Sequence, residues 1–180
     1  MSFLRWTDIR GHGGQVEALR RVCNGDRPSH AYLLTGPSSV GKASVAWSMA
    51  AHLTCVSPDP VSGGCGSCRS CNAILRGEHP EIHLLEPEGA SIKIAQVRDV
   101  QRPLRYGTTL GRSRVVLVER ADRFGEEAAN ALLKILEEPP PDVFFLLVTA
   151  RPQLLLSTIR SRSQEVRFSG LSEEDINAIL

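Results

Sequence analysis

The sequence predicts an α/β fold, a doubly wound parallel five-stranded sheet with helices over both faces. Two observations carry that prediction. Short, mostly apolar runs recur at residues 30–35, 81–86, 114–119 and 143–149, as expected of strands buried on both faces. Between them lie segments whose apolar residues keep helical spacing, and strands alternating with helices imply parallel pairing. The chain has 180 residues, 42% hydrophobic and 23% charged. A chain of that size buries roughly 70% of its extended surface, enough for one core and a small appendage.

Taken in order, residues 14–24 carry Val16, Leu19 and Val22 at helical spacing, and Asn24-Gly25 ends the helix. The first strand, 30–35, leads into a glycine-bearing turn and a helix over 42–53 rich in Ala and Met. A Gly- and Ser-rich cysteine segment, 55–71, has no periodicity, and 72–76 extends a short helix out of it. The strand at 81–86 is followed by a helix over 94–104 with Ile94, Val97, Val100 and Leu104 on one face. After the strand at 114–119 comes a helix over 126–138, stopped by Pro139-Pro140-Pro141. The strand at 143–149 and a weakly alternating one at 163–168 complete five. Ser172 caps a last helix whose acids, Glu173, Glu174 and Asp175, suit its positive end.

Gly36-Pro37-Ser38-Ser39-Val40-Gly41-Lys42-Ala43-Ser44 reads as a phosphate loop between strand and helix. Gly36 and Gly41 let backbone N–H groups turn inward, the helix end adds its dipole, and Lys42 is placed to reach terminal phosphates. An ordinary strand-to-helix turn is the alternative. The loop is defective for magnesium. Ala43 stands where a Ser or Thr hydroxyl should bind the ion, and Ser44 is about 100° further round the helix. The strand at 114–119 should end in an acidic pair, but the residues are Glu119-Arg120-Ala121-Asp122. Glu119 can act on the metal side. Arg120 stands in the place of the general base, and an arginine cannot accept a proton at neutral pH.

Cys55, Cys65, Cys68 and Cys71 form C-x9-C-x2-C-x2-C, closed-site spacing for structural zinc. An iron–sulfur cluster or unmetallated thiols are the alternatives. Gly63, Gly64 and Gly66 permit the tight turns. Cys23, alone beside Val22, reads as a small buried hydrophobe, and the five scattered histidines as structural.

Lys and Arg total 21 against 20 Asp and Glu, a net charge of +1, which excludes a protein held to nucleic acid or membrane by bulk charge. No apolar run reaches the roughly 18 residues of a membrane span, and residues 1–6 lack the basic and apolar regions of a signal peptide. A cytoplasmic protein is expected. Locally, 98–114 carries Arg98, Arg102, Arg105, Arg112 and Arg114 against Asp99, either a solvated or subunit-facing surface or one that tracks DNA phosphates.

Arg27-Pro28-Ser29-His30-Ala31-Tyr32-Leu33-Leu34, the phosphate loop and the four-cysteine insert together resemble bacterial DNA polymerase III clamp-loader subunits. So do Asn130-Ala131-Leu132-Leu133-Lys134-Ile135-Leu136-Glu137-Glu138-Pro139-Pro140 and Ser161-Arg162-Ser163, and the similarity runs in order over about residues 8–180. The resemblance implies a P-loop AAA+ ATPase-like domain over 1–168, with a zinc-binding insert at about 55–71 and the start of a truncated helical lid at 169–180. It implies a place in DNA replication, in a hetero-oligomer with gamma/tau and delta subunits that loads the sliding clamp onto primer-template DNA. The degenerate Glu119-Arg120-Ala121-Asp122 and the segment Glu78-His79-Pro80-Glu81 resemble the delta-prime type, with ATP and magnesium binding in doubt. Thr149 matches the sensor position. Arg162 matches an arginine finger offered to a neighbour's ATP, although the family's Ser-Arg-Cys is Ser-Arg-Ser here. Two rival functions stand beside this one: an active gamma/tau-type ATPase, and a zinc-dependent nucleic-acid binding module with a vestigial nucleotide fold.

Overall fold

The computed structural model describes residues 5–25 and 28–179. The start of the chain, Arg27 at the head of the 27–34 segment, and Leu180, the last residue of the expected lid segment, lie outside the described residues.

Five strands, β1 (Ala31–Thr35), β2 (Ile82–Leu85), β3 (Arg114–Val118), β4 (Val143–Thr149) and β5 (Gln164–Arg167), form one parallel sheet in the order β2-β3-β4-β1-β5. The predicted fold class is the observed one. β1, β3 and β4 are buried along their whole length, and strand alternation sends successive residues into two different cores. Leu33, Val116, Val118, Phe145 and Leu147 pack on one face against α4 (Ile94–Gln101), α5 (Glu126–Glu137) and α6 (Ser157–Ser161). Tyr32, Leu34, Val115, Leu117, Leu146 and Val148 pack on the other against α1 (Gly13–Cys23) and α2 (Lys42–Thr54). Cys23 is part of that second core, as expected of a small buried hydrophobe; burial pushes its thiol up to about 12.

Boundaries differ from the sequence reading where a backbone group decides them. The helix expected over 94–104 stops at Gln101, because Pro103 has no N–H to continue the ladder; Pro103–Arg105 is a 3-10 turn. In the insert, α3 (Arg69–Arg76) starts three residues earlier than read, with the Cys68 sulfur accepting the Cys71 N–H as its cap. The last helix, α7 (Glu173–Ile179), follows Ser172, whose Oγ accepts the Asp175 N–H at 3.1 Å.

The arginine-rich stretch is not one surface. Arg114 is 4% exposed and Glu81 1%, and the two form an ion pair beneath the loop over residues 103–109. Thr109 donates from its N–H and its hydroxyl to Glu81 at 2.6 and 2.8 Å, and Arg114 donates to the carbonyls of Pro103, Tyr106 and Gly107. Arg112 donates to the carbonyls of Cys55 and His52 at 2.7 and 3.2 Å. Arg112 is still exposed to solvent, as are Arg98, Arg102 and Arg105, so Arg114 alone of the five is withdrawn into the interior.

Burial alone would raise the Glu81 carboxyl, but the Thr109 donors and the Arg114 guanidinium outweigh it and hold it below the usual carboxylate range. The stability this contributes is present above the ordinary carboxylate pKa and is lost as pH falls through the depressed one. Glu81→Ala strands a buried guanidinium and is expected to cost about 3–5 kcal/mol at neutral pH. Urea unfolding of the variant and the parent at neutral and acidic pH checks this: the gap should narrow as the medium becomes acidic.

Candidate functional site

β1 delivers the chain into the loop at a point only glycine can occupy. Gly36 has φ +141°, and a Cβ there would meet the Phe168 carbonyl oxygen at 2.2 Å. That approach is fixed by the Phe168 N–H donating to the Thr35 carbonyl at 2.7 Å, which continues the β1–β5 ladder. Gly41, at φ +93°, caps α2, and Lys42 is its first residue. The Lys42 side chain folds back on the loop, Nζ donating to the Gly36 carbonyl at 2.8 Å and also to that of Pro37. Lys42 is only 6% exposed, and that burial lowers its pKa.

The loop is clasped from behind by residues that the sequence reading passed over. The His12 ring sits edge-on to Phe168, 4.9 Å between centroids, and its Nε2 lies 2.9 Å from the Val40 carbonyl. Gln15 donates to the Arg167 carbonyl at 2.9 Å. His12 precedes α1 in a left-handed conformation, so a lone histidine in Gly11-His12-Gly13 was the available signal.

Beyond the carboxyl ends of β3 and β4 lies a cleft of about 350 Å³, lined by Ser38, Ser39, Ala43, Glu119, Arg120, Asp122, Arg123, Thr149 and Arg151 among others. Ligands of open α/β sheets bind at this end of the strands. The structure thus brings Ala43, Glu119 and Thr149 together beside the loop of Gly36, Gly41 and Lys42. Ser44 is not among the cleft's lining residues; its carbonyl accepts the Ser48 hydroxyl at 2.9 Å. Thr149 donates to Asp122 Oδ1 at 2.7 Å while its oxygen accepts the Arg151 N–H at 2.9 Å. Asp122 therefore belongs to the site, although the sequence pattern drew attention to Glu119 and Arg120. Arg120 takes a left-handed conformation, φ 55° and ψ 51°, which costs a non-glycine residue on the order of 1–2 kcal/mol.

The donor set does not fit a magnesium ion. Magnesium demands an octahedron of oxygens. Here a methyl group stands at position 43, Asp122 is engaged by Thr149 and by Arg123 at 3.8 Å, and Arg120 lines the same cleft. Glu119 is the remaining carboxylate.

At the far end of α2, about 20 Å away at 1.5 Å per residue, the four cysteines converge. Their sulfurs lie within 4.8 Å of one another, with Cys55–Cys68 at 3.8 Å and Cys65–Cys71 at 4.0 Å. A tetrahedral ion with metal–sulfur bonds of about 2.3 Å separates its ligands by about 3.8 Å. The four thiols are placed to hold a metal ion. The N–H groups of Cys65, Cys68 and Cys71 each donate to a cluster sulfur at 3.4 Å, which favours thiolates. Gly63 and Gly66 have positive φ as the turns require, and a Cβ at Gly63 would strike the Trp6 ring at 2.7 Å.

Arg162 is elsewhere again. It follows α6, its Nη2 3.0 Å from Glu137 at the end of α5 and its Nη1 donating to the Thr158 carbonyl at 3.2 Å. The side chain is 37% exposed and is not among the residues lining the cleft. Ser163, where the related motif has cysteine, is bound to the Ile159 carbonyl at 2.9 Å.

Residues 11–172 match the family model described as DNA polymerase III, delta subunit. The chain is 45% identical over 136 residues to DNA polymerase III subunit delta' of Pseudomonas aeruginosa, covering 74% of this chain and 41% of that protein. It is 40% identical over 154 residues to subunit delta' of Bacillus subtilis, covering 84% and 45%. Subunit tau/gamma of Haemophilus influenzae is 36% identical over 173 residues, 96% of this chain and 25% of that one. The chain thus spans less than half the length of these relatives. Among solved structures, a DNA polymerase III gamma subunit-related protein of Thermotoga maritima superposes with a TM-score of 0.67 at 27% identity, covering 89% and 47%. The Holliday junction branch migration motor RuvB of the same organism shares the fold, with a TM-score of 0.59 at 19% identity over 96% of this chain and 50% of that one. The chain belongs to the DNA polymerase III delta subunit family, with delta-prime subunits as its kin and gamma/tau subunits as relatives.

Proposed function

We propose that this chain is the AAA+ region of a clamp-loader delta-prime subunit, a member that does not hydrolyse ATP itself and completes the ATP site of a neighbouring subunit. The observation that carries the reading is Arg162, a half-exposed guanidinium oriented by Glu137 and absent from its own cleft. A cation held that way serves chemistry only in another chain, where it neutralises charge on the phosphoryl group in transfer. The partners in this reading are gamma/tau and delta subunits, and through the complex the sliding clamp and primer-template DNA, in the cytoplasm. Residues 1–168 form the AAA+ domain, and 169–180 begin a helical lid. Cys55, Cys65, Cys68 and Cys71 hold structural zinc, which cross-links the insert and supplies no open coordination position.

Similarity to a tau/gamma subunit across 96% of the chain favours a second reading, an ATPase that tolerates Ala43 and Arg120. Turnover separates the two. The chain is expected to hydrolyse ATP no faster than its Lys42→Ala variant; turnover of the order of 1 s⁻¹ that vanishes in that variant identifies a motor instead.

Elemental analysis of protein purified without added metal should find one zinc per chain, lost in Cys71→Ser. Folded, reduced protein with almost none overturns the metal assignment.

In a reconstituted complex, Arg162→Ala is expected to leave zinc content and assembly intact and to lower DNA- and clamp-stimulated ATP turnover severalfold. A finger supplied in trans is worth on the order of 10³ at one site, but the complex's other sites dilute the loss. Arg160→Ala is the charge control, since Arg160 lines a groove beside Gly36 and Pro37 in its own chain. Equal losses from both substitutions, or none from either, count against the assignment.

A further inference from the structure

Three arginines, Arg120, Arg123 and Arg151, line the cleft beside the phosphate loop, against two carboxylates, Glu119 and Asp122. Asp122 is spoken for by Thr149 and Arg123. The side chains of Arg120 and Arg151 make no hydrogen bond or ion pair with any described residue. Across the cleft, the backbone N–H groups of Ser38 and Ser39 likewise find no acceptor among the described residues. Lys42 adds a fourth cation, at present turned onto the Gly36 and Pro37 carbonyls. Donors and positive charge therefore converge on one cavity from the loop, from the end of β3 and from the end of β4. An ammonium resting on carbonyl oxygens exchanges them readily for phosphate oxygens, which carry full charge.

Arg120 sharpens the point. It holds a left-handed backbone conformation that asparagine or glycine would adopt more easily. Strain of this kind gathers at ligand sites, where the surrounding structure over-determines it. The conformation turns the chain at the end of β3, and Arg120 lines the cleft.

We propose that this cleft binds the phosphate chain of a nucleoside di- or triphosphate without magnesium, the Arg120 and Arg151 guanidiniums taking over the charge neutralisation that the ion provides in an intact site. The proposal rests on reading residues 36–44 as a phosphate loop and is independent of the role of Arg162. Guanidiniums match phosphate oxygens bidentately and need no coordination sphere. Bound in this way, a nucleotide is held by positive charge with no metal to orient an attacking water and with Arg120 in the place of the base that would take its proton. The site is then a ligand-binding one that stabilises the subunit.

Calorimetric titration of the purified protein with ADP, and separately with inorganic pyrophosphate, tests the proposal in buffers containing either EDTA or excess magnesium. Binding in EDTA is expected to be at least as tight as in magnesium, which competes for the same oxygens in solution. It should weaken as salt is raised. Arg120→Asn keeps the backbone conformation accessible and removes the charge; it should weaken binding about tenfold, as loss of a charge-assisted contact does. Arg98→Ala, a surface cation outside the cleft, should change nothing. The double variant Ala43→Thr with Arg120→Glu restores a hydroxyl and an acid, and its binding should become magnesium-dependent. Three results overturn the proposal: no binding of either probe in EDTA, binding by the parent that requires magnesium, or equal losses from Arg120→Asn and Arg98→Ala. Should ADP fail to bind while Arg162→Ala still lowers partner turnover, the finger assignment stands and this one falls.

Discussion

The site depends on the placement of β1 between β4 and β5. A central parallel strand is buried on both faces and paired on both edges, so its register admits no slip without moving a whole apolar set into the wrong core. β1 therefore ends at a fixed point, and the chain must leave the sheet past the Phe168 carbonyl, where only Gly36 fits. The start of α2, the inward turn of Lys42 and the facing ends of β3 and β4 follow from that exit. The cleft persists because the sheet cannot be assembled without it, whatever side chains happen to line it.

That separation between scaffold and chemistry explains how the fold is kept intact around a cleft whose lining departs from the phosphate-loop pattern. Ala43 and Arg120 change what the cleft can bind and leave the buried faces of β3 and α2 as they were, since both residues lie beyond the packed core. Strain at Arg120 is local, of a size the two cores tolerate. Arg114 is the opposite case. Its charge lies under the 103–109 loop, and Glu81, Thr109 and three carbonyls are arranged around it, so a change there is structural rather than chemical.

α2 links the two specialised ends of the molecule. Lys42 stands at its first turn and Cys55 at its cap, where the Cys55 N–H donates to the Ala51 carbonyl at 3.0 Å. The insert is held to the body by Arg112, which donates to the His52 and Cys55 carbonyls, and by Ser70, which donates to the Thr54 carbonyl at 2.9 Å. The Trp6 ring packs against Gly63, and the Trp6 backbone N–H donates to the Ser62 carbonyl at 3.1 Å, so the cysteine segment also docks the beginning of the described chain. The four-sulfur cluster thereby bears on the amino-terminal segment and on α2 together.

Much of this was legible in the residues themselves. The apolar runs set the strands because a segment buried on both faces has no polar alternative, and Val143–Thr149 was read to the residue. The cysteine spacing specified a closed cluster because short C-x2-C turns can point only inward. Gly36, Gly41, Lys42, Ala43, Glu119 and Thr149 were identified by loop chemistry and by the resemblance to clamp-loader subunits, and the fold gathers them at one end of the sheet. What stayed hidden were the contacts made across large sequence separations. Five arginines between 98 and 114 look alike in sequence, yet burial by a distant strand makes Arg114 a core residue and leaves Arg98 on the surface. His12 and Asp122 acquire their roles only from Val40, Phe168 and Thr149, which the chain brings to them after the sheet has formed. Periodicity and composition act between near neighbours. Strand order decides which distant polar groups must satisfy one another, and that was settled by the packing alone.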